Sequence, residues 1–292
     1  MQPEHYLVNF DPVAFSLGPL RVHWYGIMYL LGFVTFWWLE SRIAARRPWW
    51  GWNREQISDF MFYGMLGVIV GGRLGYVLFY GWRSLMQDPL FVFRIWDGGM
   101  SFHGGLLGVI VAMAWYGRRT GRSFWQVADF VAPVVPLGLA FGRLGNFIGG
   151  ELWGRLSDVP WAMIFPASLP PDALGGKSLQ AAWQSGALDA WARHPSQLYE
   201  AGLEGLTLFV ILMIYAAKPR PVGAVSGLFL AGYGSFRLVA EFFREPDRHI
   251  GFLAGGWLTM GMLLSIPMIL LGLAFLVVAY RHGFPAGRTE QT

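Results

Sequence analysis

The chain has 292 residues, of which 54% are hydrophobic and only 14% charged, with no cysteine and a net charge of +4. A soluble domain carries about 25% charged residues, so this composition excludes an ordinary water-soluble enzyme. Repeated apolar runs of about 20 residues indicate a polytopic, all-α integral membrane protein, and the missing cysteines exclude disulfides, thiolate metal sites and a cysteine nucleophile.

The polar start, Met1 to Arg21, lacks the basic, apolar and small-residue pattern of a cleavable signal, so the first span is expected to serve as the insertion signal. That span runs from Val22 to Leu39, and the second from Ile57 to Tyr80. The third, Met100 to Tyr116, is marginal because Gly104, Gly105 and Gly108 dilute its start; the fourth is Phe124 to Phe147. A long polar interval follows, then Ser196 to Ala217, Val222 to Phe243 and Trp257 to Tyr280. Seven transmembrane helices result, each built at about 1.5 Å per residue against about 30 Å of hydrocarbon.

The loops alternate in charge. One set carries Arg42, Arg46, Arg47, Arg54, Arg118, Arg119, Arg122, Lys218, Arg220, Arg281 and Arg288; the other has only Arg21, Arg83, Arg94, Arg244 and Arg248. The richer set is expected to be cytoplasmic. The amino terminus is then periplasmic and the carboxyl terminus cytoplasmic. Residues 150–195 form a small periplasmic cap within a single polytopic domain covering 1–292, with Ser168 to Gly186 as the cap's flexible part. Trp37, Trp38, Trp49, Trp50 and Trp52 are expected to anchor a cytoplasmic interface, where indoles settle at headgroup depth. The basic balance is read as orientation and headgroup contact, with no nucleic-acid partner.

Polar groups in or beside the spans are the candidates for chemistry. The segment Gly142-Arg143-Leu144-Gly145-Asn146-Phe147-Ile148-Gly149-Gly150-Glu151-Leu152-Trp153-Gly154 sets Arg143, Asn146 and Glu151 among glycines. In the sixth span, Tyr233, Arg237 and Glu241 follow at i, i+4, i+8 and share one helical face. Arg237 and Glu241 read equally as a structural ion pair. His103, flanked by Gly104 and Gly105, reads as a base or phosphate donor, or as a helix-start histidine bonded to a neighbour. Those glycines also suit close helix packing. Tyr25 reads as a headgroup contact or a belt tyrosine, and Arg73 is an intramembrane cation without an evident partner. Zinc, nucleophile-elbow and phosphate-loop motifs are missing. No metal and no cofactor is therefore expected.

The Gly142 to Gly154 segment resembles the signature of the bacterial phosphatidylglycerol–prolipoprotein diacylglyceryl transferases. So do His23-Trp24-Tyr25-Gly26, Trp96-Asp97-Gly98-Gly99-Met100-Ser101-Phe102-His103-Gly104-Gly105, Arg193-His194-Pro195-Ser196-Gln197-Leu198-Tyr199-Glu200 and Gly232-Tyr233-Gly234-Ser235-Phe236-Arg237. The blocks keep the family's order. One departure stands out: position 149 is glycine where the signature usually has asparagine.

The resemblance implies transfer of the diacylglyceryl group of phosphatidylglycerol to the lipobox cysteine of a prolipoprotein signal peptide, releasing glycerol 1-phosphate, at the bacterial inner membrane. It implies Arg143 and Arg237 as the phosphate grip, Asn146 as headgroup donor, Glu151 as orienter, and Gly154 as part of the lipid site. Tyr25 and Tyr233 would position headgroup or peptide. His103 is the leading base for the thiol, with Glu241 the alternative. The rival from another class is an anionic lipid transporter or flippase, whose arginines bind without chemistry.

Overall fold

The computed structural model describes residues 3–18, 20–246 and 251–284. Arg248 and Arg288, two of the charges used for orientation, lie outside them. The chain begins with three short strands, β1 (Tyr6–Leu7), β2 (Val13–Leu17) and β3 (Leu20–His23). Helices follow: α1 (Trp24–Arg46), α2 (Arg54–Phe79), α3 (Trp82–Gln87), α4 (Phe102–Arg119), α5 (Phe124–Val131) and α6 (Val135–Ile148). Then come β4 (Met163–Ile164), α7 (Leu179–Gln184), α8 (Ser196–Glu200), a π-helical turn over Ala201–Thr207, α9 (Leu208–Tyr215), α10 (Ala224–Glu241) and α11 (Met260–Arg281).

Helical segments thus occupy each of the seven apolar runs. Three are long and apolar enough to cross a membrane: Arg54–Phe79, Ser196–Tyr215 and Met260–Arg281. A fourth results if α5 and α6 count as one broken span. Pro133 and Pro136 explain that break, since each removes a backbone donor from the helical ladder. The fold is mostly helical, and two two-stranded sheets qualify the all-α expectation. β2 pairs antiparallel with β3, and β1 runs parallel to β4. The β1–β4 pairing joins distant parts of the chain, so no local pattern announces it.

The chain divides into two compact units: Met1–Phe36, Ala132–Lys218 and Gly227–Val277 form one, and Trp37–Val131, Pro219–Ser226 and Val278–Thr292 the other. In the first, the interval between α6 and α8 builds a small core from Ala162, Ile164, Ala182, Leu188 and Ala192, closed by Leu7 from β1. Ala182 on α7 is fully buried and Ser168 nearly so. The stretch expected to be flexible is therefore part of a packed core. In the same unit α10 lies tightly on α11, where a side chain at Gly234 would meet the Ser265 carbonyl at 3.0 Å.

In the second unit α2 and α4 pack glycine against glycine. A side chain on Gly67 would meet the Gly108 carbonyl at 2.6 Å, one on Gly75 the Gly104 Cα at 2.8 Å, and one on Gly71 would strike the Gly104 carbonyl. Small residues every fourth position let two backbones approach in lipid, where apolar side chains give no hydrophobic drive to associate. Trp52 is buried in this unit, stacked on Phe130 at 4.2 Å with Arg122 over its ring at 4.4 Å. It is a core residue and not the interfacial anchor its neighbours suggested.

Candidate active site

Six ionisable side chains gather in the first unit. Glu200, at the end of α8, has a side chain with no solvent exposure, and its Oε2 lies 2.8 Å from Arg143 Nη2 and 2.6 Å from Arg237 Nη1. Arg244 Nη1 approaches the same oxygen at 3.6 Å. Glu204, in the π-helical turn, is 3.8 Å from Arg143 and 3.6 Å from Arg237. Glu241 completes the group, with Oε1 2.5 Å from Arg237 Nη2 and Oε2 accepting from Thr259 Oγ1 at 2.7 Å. Three arginines face three glutamates, and this pairing offsets the cost of holding such groups in an apolar surround. Gly261 packs so close to the Glu241 carboxylate that any side chain there would strike it.

The backbone prepares this meeting. The widened π turn, a feature often found at functional sites, begins directly after Glu200 and carries Glu204. It rests on α6 because Gly205 faces Ala140, where a Cβ would come within 2.5 Å. Arg143 and Arg237 keep 19% and 15% of their side chains exposed, so a ligand can reach them. Glu200 Oε1, both oxygens of Glu204 and Gln197 Oε1 are buried acceptors without a hydrogen bond.

The 142–154 segment is tied to the same region. Gln197 Nε2 donates to the Glu151 carbonyl at 2.6 Å and Ser196 Oγ to the Leu152 carbonyl at 3.0 Å. Leu152 is the one non-glycine residue with positive φ among the described residues, at 57°. Gly154 has no room for a side chain, since a Cβ would lie 2.5 Å from the Phe243 carbonyl and 2.6 Å from that of His194. Arg155 Nε donates to the Arg244 carbonyl at 3.0 Å. Trp161 Nε1 donates to Tyr199 Oη at 2.7 Å, and the Tyr199 hydroxyl shares a hydrogen bond with His194 Nδ1 at 3.1 Å. Burial pushes the His194 imidazole below its ordinary range, which keeps it neutral.

Residues 12–278 match the family described as prolipoprotein diacylglyceryl transferase. The chain belongs to that family. It is 56% identical over 279 residues to the phosphatidylglycerol–prolipoprotein diacylglyceryl transferase of Photorhabdus laumondii, with 94% of each chain covered. The protein of the same name from Vibrio vulnificus is 56% identical over 275 residues, covering 94% of this chain and 93% of that one. That from Vibrio cholerae is 53% identical over 283 residues, with 96% of each covered.

Of the residues expected in this diacylglyceryl transferase site, the structure brings Arg143, Arg237 and Glu241 into one cluster. Tyr233 stands within electrostatic reach of Arg237, Arg143, Glu204 and Glu200. Tyr25 is half exposed, with its hydroxyl 3.3 Å from that of Tyr29 and its ring against Gly145, and it senses the charges of Glu151 and Arg143. Asn146 is partly buried, and its carbonyl accepts the Glu151 amide at 2.9 Å. Gly149 holds right-handed backbone angles that asparagine also adopts, so no conformational demand explains the departure there. His103 belongs to the second unit, where it is exposed in the first turn of α4 beside the Phe102 ring, behind the Ser101 cap.

Arg73, also in the second unit, receives a partner set that sequence could not supply. It is buried and donates to the carbonyls of Val92 at 3.1 Å and Gly98 at 2.6 Å, and to those of Phe91 and Gly99. Positive φ at Gly98 and Gly99 turns that backbone toward it. Arg73 therefore staples the 91–99 loop. Sequence reading missed Glu200 and Glu204 as the counter-charges. Their signal was two glutamates four apart in an otherwise apolar helix.

Proposed function

We propose that this protein transfers the sn-1,2-diacylglyceryl group of phosphatidylglycerol to the lipobox cysteine of prolipoproteins. The observation that carries the reading is that Arg143 and Arg237, from two different helices, reach a single oxygen of Glu200. Two guanidiniums able to share one carboxylate oxygen can also share one phosphate oxygen. Names of relatives above 50% identity support the transferase and not the lipid-transporter alternative.

In the reaction the cysteine sulfur attacks the lipid's glyceryl carbon that bears the phosphate. A thioether C–S bond forms, the C–O bond breaks, and glycerol 1-phosphate leaves with its charge held by Arg143 and Arg237. The thiol proton passes to a base, for which His103 is our assignment and Glu241 the alternative. Glu241 is already engaged by Arg237 and Thr259, which suits it to aim Arg237 at the phosphate. The oxygens of Glu200 and Glu204 that accept no hydrogen bond suit a headgroup carrying two hydroxyl donors. Asn146, Glu151, Gly154, Tyr25 and Tyr233 form the remaining phosphatidylglycerol contacts in this reading.

We place the protein in the bacterial inner membrane as one polytopic domain with seven spans. Its amino terminus and the 150–195 cap are periplasmic, its carboxyl terminus is cytoplasmic, and the site opens toward the periplasm. Helices in each apolar run, and the arginine-rich loops, support that arrangement. Purified protein in detergent, given phosphatidylglycerol and a lipobox peptide, should add one diacylglyceryl group to the peptide and release glycerol phosphate. A peptide with serine for cysteine should stay unmodified. Absence of product from folded protein that still binds the lipid would overturn the assignment.

A further inference from the structure

An arginine-lined cavity lies in the other unit. It is half open, offers about 490 Å³ where the end of α1 meets the start of α2, and its walls include Trp37, Trp38, Ser41, Arg42, Asn53 and Arg54. Each arginine sits over an indole, Arg42 over Trp38 at 4.3 Å and Arg54 over Trp37 at 4.7 Å. Trp37 is itself fixed: its Nε1 donates to Ser58 Oγ at 2.9 Å, and that hydroxyl donates to the Arg54 carbonyl at 3.0 Å. Stacking through the face leaves the N–H edges of a guanidinium directed at other acceptors.

The surroundings name the ligand class. α2 is one of the helices long and apolar enough to cross a membrane, and Arg54 is its first residue. Its 26 residues extend about 39 Å at 1.5 Å each, beyond about 30 Å of hydrocarbon, so its ends fall at headgroup depth. Asn53 caps this helix through the Gln56 amide at 2.8 Å, and its positive dipole end faces the cavity. Indole walls, two arginines and a helix start at that depth match one occupant.

We propose that this cavity binds the phosphate headgroup of an anionic phospholipid, as a site separate from the Arg143–Arg237 cluster and not used in transfer. The lipid phosphate sits between Arg42 and Arg54, and its glycerol backbone lies along the tryptophans. The site fastens this end of α1 and α2 to an anionic leaflet.

Native mass spectrometry of the full-length protein, taken from phosphatidylcholine vesicles doped with phosphatidic acid, tests this. The Arg42→Ala/Arg54→Ala double variant should carry one phosphatidic acid fewer, with apparent affinity down about tenfold or more. Its transfer rate at saturating substrate should stay unchanged, and thermal unfolding in detergent should show it folded. Arg42→Lys/Arg54→Lys keeps the charge without the stacked fork and should restore little. An unchanged lipid count in the alanine variant overturns the site. Displacement of the lipid by inorganic phosphate as readily as by phosphatidic acid overturns the lipid as its occupant.

Discussion

Arg237 Nη1 meets Glu200 Oε2 at 2.6 Å, and the glutamate side chain has no exposure to solvent. Removing one member of a buried pair costs about 3–5 kcal/mol, and loss of Glu200 takes the shortest contact from Arg143 and leaves Arg237 with Glu241 and Glu204 alone. Glu200→Ala should therefore lower the unfolding temperature sharply in detergent. Glu245→Ala, which breaks a pair with Arg193 in which the glutamate is 41% exposed, should change it little. Equal shifts for the two variants would deny Glu200 its place as the cluster's counter-charge.

Arg143→Ala and Arg237→Ala should each reduce transfer by about 10²–10³-fold or more, the range for losing one donor to a developing oxyanion. Both proteins should still insert and fold, Arg237→Ala with a lowered unfolding temperature because buried Glu200 loses its 2.6 Å partner. Arg143→Lys should rescue poorly, because a point charge cannot reproduce a guanidinium's two-pronged contact. Normal turnover by either alanine variant removes that arginine from the mechanism.

For the thiol proton, His103→Gln is expected to slow transfer by about 10²–10⁴-fold, the usual share of a general base. Activity within a few-fold of the parent makes His103 a packing residue and moves the assignment to Glu241.

Gly108→Leu and Gly71→Leu should prevent α2 and α4 from closing, since each side chain would be driven into the facing backbone. Gly64→Ala in the same helix meets nothing within 4 Å and should be neutral, or stabilising by up to about 1 kcal/mol. Thermal unfolding and protease resistance of the purified proteins would rank the three. A Gly64→Ala defect as large as the others would count against the packing account.

His194 gives a pH dependence outside the spans. Burial holds its folded pKa below the unfolded value of 6.5, so protons favour the unfolded chain once pH falls below that value. Its stabilising share is fully present above 6.5 and is lost on acidification. His194→Gln should flatten the acid limb of the unfolding curve between pH 7 and about 5. A parallel limb in the variant would assign acid sensitivity elsewhere.

Much of the site is local and therefore legible in the chain. Helical spacing alone puts Tyr233, Arg237 and Glu241 on one face, and the Arg237–Glu241 contact at 2.5 Å follows from it. The run Gly142 to Gly154 marks the α6 end by its arginine and glycines, as Gly104 and Gly108 mark a close helix contact. The ion pair at 237 is present, and Arg237 keeps part of its side chain exposed beside it.

What the sequence by itself determined is the membrane class, the positions of the helices and the family, because these rest on hydropathy, period and motif order. Only the tertiary structure decided which charges meet. Glu200 collects arginines from α6, from α10 and from just beyond it, while Arg73 is held by carbonyls of a loop. Side-chain periodicity reports neighbours within one helix. The partner of a buried charge is chosen by desolvation, which any well-placed acceptor can offset, wherever along the chain it lies.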